Sequence, residues 1–339
     1  MQDLNVTTLA KQLVEIDSTS GRESGVIGWV EGLLSQRRWR ARRIAVSPMR
    51  SDLFATWTEG QCAVTFSTHL DTVPPFIPPR LEGGTLWGRG ACDAKGIAAA
   101  MICAAERLRA RGVAVGLLFV VGEETSHDGA RAANAYAASL PVKPSRVLIN
   151  GEPTESILGT GTKGAIRFVV RTKGEAAHSA YPHLGHSAID DLVALLHELK
   201  TIALPGDALL GETTVNIGAI SGGVADNVLA PLAEARLMFR TVTPKEEIIA
   251  LCERWTRGRA QLEIGVSVPH VTLATVPGFT TGVVAFATDI PALTNWGTPY
   301  LFGPGSITVA HRDDEQIAVS ELVNAVEEYE RLALAVIAR

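Results

Sequence analysis

The stretch Ala63-Val64-Thr65-Phe66-Ser67-Thr68-His69-Leu70-Asp71-Thr72 organises the reading of the whole chain. Its first half has strand character, and Pro74 and Pro75 close it. Residues two apart on a strand share a face, so His69 and Asp71 can project together from the carboxyl end of one strand, within reach of a common ion. A His-x-Asp triplet is frequent by chance. Its weight depends on whether other ligand-type residues follow on similar strand ends.

The surrounding pattern supplies those strands. Segments 41–46, 52–57 and 63–68 read as strands. Val115 to Val121 is a continuous apolar run suited to a strand buried on both faces, and Arg146 to Asn150 reads as another short buried strand. Between them lie helical stretches: 6–16 with Thr7 or Thr8 as N-cap, 26–34, the Ala-rich run from Gly96 to Arg109, and Arg131 to Ala138. Alternation of this kind predicts an α/β domain with a mostly parallel sheet flanked by helices. After Gly159-Thr160-Gly161-Thr162-Lys163-Gly164 the order becomes strand (165–173), helix (187–201), strands (213–220, 232–242), helix (244–256) and strand (261–268), a β-α-β-β-α-β ferredoxin-like pattern. Short buried elements resume at Ala285 to Thr288 and Thr298 to Phe302, and an amphipathic helix from Ser320 to Ile337 closes the chain. The expectation is a discontinuous main domain, 1–159 and 272–339, with a second α+β domain inserted at 160–271.

Composition narrows the function. With 339 residues, 46% of them hydrophobic, the chain can build sizeable cores, and its formal charge of −5 without a basic, aromatic-studded run argues against nucleic acid. The cysteines Cys62, Cys92, Cys103 and Cys252 form no Cys-x-x-Cys pair, so neither a disulfide framework nor a thiolate zinc site is implied. No signal-peptide pattern or bilayer-length apolar span is visible. A soluble protein of the cytoplasm, with no membrane partner, is the expectation.

Further ligand-type residues do sit at the ends of the main-domain strands. Asp93 lies in the glycine-rich turn Gly88 to Gly96, Glu123 and Glu124 follow Val121-Gly122, Glu152 follows Asn150-Gly151, and His311 lies beyond Gly303-Pro304-Gly305. In an open α/β sheet the crevice at the carboxyl ends of the strands is where ligands bind. Two imidazoles and at least three carboxylates suit zinc, cobalt or manganese. Five ligands exceed one tetrahedral ion with an open position, and a bridging carboxylate would let two ions share them. Of two adjacent glutamates, one can bind an ion while its neighbour serves as general base. Singly, Asp93 and Glu152 could be turn formers, and His311 an exposed loop residue. Such residues on every β→α turn of the central sheet are harder to explain that way.

These segments, together with His178-Ser179-Ala180 and Gly222 to Pro231, resemble in type and order the zinc-dependent amidohydrolase family of acetylornithine deacetylase, succinyl-diaminopimelate desuccinylase, glutamate carboxypeptidase and aminoacylase. The resemblance implies a zinc-aminopeptidase-like main domain and an inserted dimerisation or lid domain, hence a homodimer through 160–271. It implies two divalent ions, His69, Asp93 and Glu152 holding one, Asp93, Glu124 and His311 the other. It makes Asp71 the group that orients His69, Glu123 the general base, and the Asp93-Ala94 peptide cis. His178 would reach a neighbouring subunit's site to stabilise the oxyanion, while Asn227, Arg240 and Gly305 would contact substrate. For Arg240 a structural salt bridge is the competing reading. The remaining histidines carry no assigned role; His127 could touch the pocket rim, but a solvated helix start is the expectation. Thr125 and Ser306 stand where many relatives have acidic residues, which leaves substrate specificity open.

The implied reaction is hydrolysis of the amide bond of an N-acylated amino acid, acetylornithine deacetylase-like first. A metallo-dipeptidase, carboxypeptidase or succinyl-diaminopimelate desuccinylase acting on a short peptide or related acyl substrate is the alternative. A non-catalytic, metal-stabilised binding protein is the rival from another class.

Overall fold

In the computed structural model, which describes residues 4–339, the apolar run becomes the strand Val115–Val120, buried at every position. It lies inside a six-stranded sheet of order Arg40–Ser47, Arg50–Thr56, Val115–Val120, Cys62–His69, Ser145–Asn150, Thr298–Leu301. The last four are mutually parallel, while Arg50–Thr56 runs antiparallel to both of its neighbours. Alternate residues face opposite layers. Leu117 and Phe119 join a core with the helices Val6–Val14, Ser24–Gln36, Lys95–Ala110 and Val319–Ile337. Leu118 and Val120 join a second core with Trp296 and the helix Asp128–Ser139.

The helix Lys95–Ala110 is the most deeply placed of these. Its alanines Ala98, Ala99, Ala100, Ala104 and Ala105 are fully covered, and such small side chains let flanking elements approach closely at interior packing density. Its start is fitted equally tightly, since a Cβ on Gly96 would lie 2.1 Å from the Ala91 carbonyl oxygen.

The chain divides into two compact units. One comprises residues up to Thr160 with Leu273–Gly282 and Thr288–Arg339, and the other Gly161–Thr272 with Val283–Ala287. The second unit is therefore not one continuous insert. Its five later residues belong with it because Lys163 donates its backbone N–H to Val284 at 3.0 Å. Within this unit an antiparallel sheet has the order Thr214–Gly222, Leu232–Thr241, Gly164–Lys173, Gln261–Val268. The helices Ala188–Leu199 and Lys245–Thr256 share its core through Leu192, Leu195, Ile248 and Trp255. In chain order the strands lie 2-3-1-4, as a ferredoxin-like unit requires.

Two local expectations need correction. The first helix is capped by Asn5, whose side chain accepts from the Thr8 N–H, rather than by Thr7 or Thr8. Ala285 to Thr288 has no regular structure: the strand there is Thr281–Val284, and exposed Ala285 lacks the covered face a buried strand needs. Gly96→Ala is expected to destabilise the protein by about 1–3 kcal/mol through overpacking, read as a lowered midpoint in denaturant unfolding. An unchanged midpoint would contradict the fit described here.

Candidate metal centre

Parallel pairing brings the carboxyl ends of four strands to one edge of the main sheet. His69 is the last residue of its strand, Glu123 and Glu124 follow Val115–Val120, and Glu152 follows Ser145–Asn150. Two hydrogen bonds lock neighbouring strand ends together: Gly151 N–H to the Ser67 carbonyl at 2.7 Å and Thr68 Oγ1 to the Gly151 carbonyl at 2.8 Å. Asp93 enters from the turn before Lys95–Ala110, with its peptide to Ala94 cis. His311 enters from the far end of the chain, in a left-handed backbone conformation with φ 64°.

His69, Glu124, Glu152 and His311 gather around Asp93. His69 Nε2 is 3.0 Å from Asp93 Oδ1 and 4.0 Å from Glu152 Oε2. His311 Nε2 is 3.4 Å from Asp93 Oδ2 and 2.9 Å from Glu124 Oε2. Each oxygen of Asp93 thus faces a different imidazole. One ligand atom from each of His69, Asp93 and Glu124 can be chosen so that all lie within 4.8 Å of one another. A nitrogen–oxygen donor set without thiolate fits zinc, cobalt or manganese, and a carboxylate with one oxygen on either side fits a pair of ions.

Asp71 does more than the sequence suggested. The nearer partner of His69 Nδ1 is the main-chain carbonyl of Asp71, at 2.9 Å, with the carboxylate at 3.6 Å. The Asp71 carboxylate instead accepts the backbone N–H groups of Glu123 at 3.1 Å and Glu124 at 3.2 Å, and the Ser20 hydroxyl at 2.8 Å. One buried side chain therefore fixes the turn that carries both glutamates. Ser20 had no signal in the sequence; it arrives because Ser18 and Ser20 bond the backbone at Leu70 and Thr72.

His127 is likewise placed differently from the solvated residue expected. Its Nδ1 is 2.8 Å from the buried Asp289 carboxylate and 3.9 Å from Glu123 Oε1. Gly305, at φ +77°, packs where a Cβ would lie 2.5 Å from Cys92 Sγ, and its carbonyl accepts from Glu155 N–H at 2.8 Å. His178, Asn227 and Arg240 belong to the second unit. An antiparallel bridge between His178 and Val228, with Ser179 N–H donating to the Asn227 carbonyl at 2.9 Å, brings the first two together. His178 Nδ1 accepts from the Ala180 N–H at 3.1 Å, which leaves Nε2 as the outward nitrogen. Arg240 sits on Leu232–Thr241, opposite Thr214 and Ala165.

The sequence profile described as peptidase family M20/M25/M40 matches residues 65–335. The chain belongs to that family. A peptidase M20 domain-containing protein of Schizosaccharomyces pombe is 38% identical, the alignment covering 97% of this chain and 84% of that protein. A protein of Aspergillus fumigatus described as a probable carboxypeptidase is 35% identical, covering 97% and 86%. Among solved structures, an M20 family metallo-carboxypeptidase of Sulfolobus solfataricus superposes with a TM-score of 0.79 at 13% identity, over 99% of this chain and 100% of that one. As an M20 member the chain is a hydrolase acting on amide bonds. No described helix is long and apolar enough to cross a membrane.

Crowded carboxylates give the centre its charge. Burial first, then the negative charge of its neighbours, pushes Glu152 and Glu123 well above the usual carboxylate range. For His69 burial pulls downward, but Asp71 and Asp93 outweigh it and hold the imidazolium up. Asp93 and Glu124 raise His311 to about 10. An ion needs the ligands among these groups, Glu152, His69 and His311, deprotonated. Because Glu152, His69 and His311 hold protons above their ordinary range before an ion arrives, although Asp93 does not, loading must expel protons, and affinity must rise with pH through the range in which His311, raised to about 10, titrates. Zinc titration calorimetry in buffers of different ionisation enthalpy should show proton release at pH 7, with affinity climbing by up to about tenfold per pH unit for each proton expelled. Binding without proton release would contradict this charge assignment.

Proposed function

We propose that this M20 hydrolase cleaves an amide whose nitrogen belongs to an amino acid with a free α-carboxylate, with a carboxypeptidase or dipeptidase type of substrate first. The carboxypeptidase name of an Aspergillus fumigatus relative aligned over nearly the whole chain supports that order, which reverses the order drawn from the sequence. Deacetylation of acetylornithine and desuccinylation of succinyl-diaminopimelate make the same bond change and remain on the substrate panel. The observation that carries the reading is Asp93, one oxygen toward His69 and the other toward His311, with Glu123 on the adjoining turn.

His69, Asp93 and Glu152 would hold one divalent ion, and Asp93, Glu124 and His311 the other. Bound there, two ions supply Lewis acidity that polarises the scissile carbonyl and activates a water. Glu123 takes the water's proton and returns it to the leaving nitrogen. Its backbone, tied to Asp71, holds the carboxylate in place, which is the positioning on which such transfers depend. His178 Nε2 donates to the developing oxyanion. Asn227 and Arg240 bind the substrate α-carboxylate, for which the planar guanidinium is suited, and the turn at Gly305 borders the bound substrate.

The second unit also supports a homodimer. Its edge strand Thr214–Gly222 exposes Ile220 at 59%, and the helix Ala188–Leu199 exposes Val193 at 56%. An unpaired edge beside exposed apolar side chains is a surface on which a second copy can seat, and His178 would then serve the partner's centre.

Glu123→Gln is expected to lower kcat by roughly 10²–10⁴-fold, the usual contribution of a general base, while zinc content stays at the parental level. Near-parental turnover on every member of the panel would sink the assignment. Mixing inactive Glu123→Gln and His178→Ala proteins should restore part of the activity, because a mixed dimer contains one intact combination of base and oxyanion donor. Mixing that restores nothing, although mixed dimers form, would place His178 in its own subunit's site.

A further inference from the structure

An ion pair that supplies no candidate ligand stands behind the metal centre. Arg89 and Glu315 are each 1% exposed, and their side chains meet at 2.8 Å. Glu315 Oε1 accepts the backbone N–H groups of Gly90 at 2.9 Å, Cys92 at 3.1 Å and Asp93 at 3.0 Å. Its carboxylate thus occupies a nest of amides made by the turn that carries Asp93. The Glu315 main-chain carbonyl also accepts from Gly88 N–H at 3.0 Å.

Arg89 extends the same junction in two directions. Nε donates to the Pro75 carbonyl at 3.3 Å, on the loop that follows His69 and Asp71. One terminal nitrogen donates to the Arg312 carbonyl at 3.0 Å, immediately after His311. Three segments that carry candidate ligands, around residues 69–75, 88–93 and 311–315, are therefore tied at one buried point. The other terminal nitrogen is buried with no hydrogen-bond partner among the described residues. That cost is one a fold would shed unless the junction itself were needed.

We propose that the Arg89–Glu315 pair is the positioning device of the metal centre. By fixing the Asp93 and His311 backbones relative to each other, it sets the affinity for divalent ions. The proposal rests on the two-ion reading above. It assigns the pair no contact with substrate and no proton transfer. Ligand geometry is sensitive to such outer partners, whose loss typically weakens metal binding by about 10–100-fold.

The test uses the full chain, stripped of metal, with zinc(II) and cobalt(II) as probes. Glu315→Gln keeps the side chain's size but removes the charge and leaves one acceptor oxygen, so its NH2 must face donors, either Arg89 or the amide nest. Arg89→Lys keeps the charge but loses the fork that reaches Pro75, Arg312 and Glu315 together. For each variant, zinc affinity is measured by competition with a chelator, and cobalt coordination by visible absorption. Circular dichroism of the metal-free chain checks the fold. The expected result is a parental circular dichroism spectrum, zinc binding weakened by roughly 10–100-fold, and an altered cobalt spectrum. Folded variants with parental zinc affinity and cobalt spectrum would overturn the proposal. Failure of both variants to fold would overturn it too, since the pair would then govern folding rather than ligand geometry. Loss of the two-ion reading shows separately, as a parent chain that binds no zinc.

Discussion

The controlling constraint in the main unit is the confinement of Asp71, Asp93, Glu123, Glu124 and Glu152 within one crevice. Burying charge costs several kcal/mol per ion unless it is paired and hydrogen-bonded, and the structure meets that cost unevenly. Asp71 lies beside the His69 imidazole, takes two backbone amides and a hydroxyl as well, and sits below its ordinary pKa although burial alone would raise it. Asp93 takes two imidazoles and is likewise held low against the effect of burial. Glu152 and Glu123 gain no comparable relief and are pushed upward. The uneven balance leaves negative charge that only a cation or extra protons can neutralise. The same turns that concentrate the charge also aim it.

Much of this could be read in the sequence because strands buried on both faces betray themselves. Val115 to Val120 and Val147 to Ile149 are apolar without alternation, so their ends, and the ligand-type residues just beyond them, stand out. The inserted unit was legible for a different reason: its four long strands and two helices follow the ferredoxin-like order. What stayed hidden were contacts between segments distant in the chain. Ser20 meets Asp71 across 51 positions, His127 meets Asp289 across 162, and Glu315 meets the Asp93 amide across 222. No local period or spacing encodes such meetings. The hairpin Arg80–Glu82 to Thr85–Trp87 was a different kind of miss, because Gly83-Gly84 is a two-residue turn signal that the sequence does offer. Its strands are three residues each and lack an apolar run.

The two units differ in how they use their surfaces. The main unit turns its strand ends inward to a buried, charged crevice. The second unit buries Phe168, Phe239 and Trp255 between sheet and helices and leaves Ile220, Val193 and Val224 outside. The main unit thus gathers charge where it is buried, and the second unit leaves apolar side chains where they are exposed.

The late return of that chain to the main sheet has a consequence for biosynthesis. His311, the strand Thr298–Leu301 and the helix Val319–Ile337 are translated only after the whole of Gly161–Thr272. Until then the strand Ser145–Asn150 has an open edge, and the Ala-rich helix lacks one of its covers. A ribosome-bound chain therefore displays His69, Asp93, Glu124 and Glu152 as an acidic half-site while the inserted unit, with its own core, is complete. Domains fold as units in order of emergence, and here the first-begun domain is the last to close.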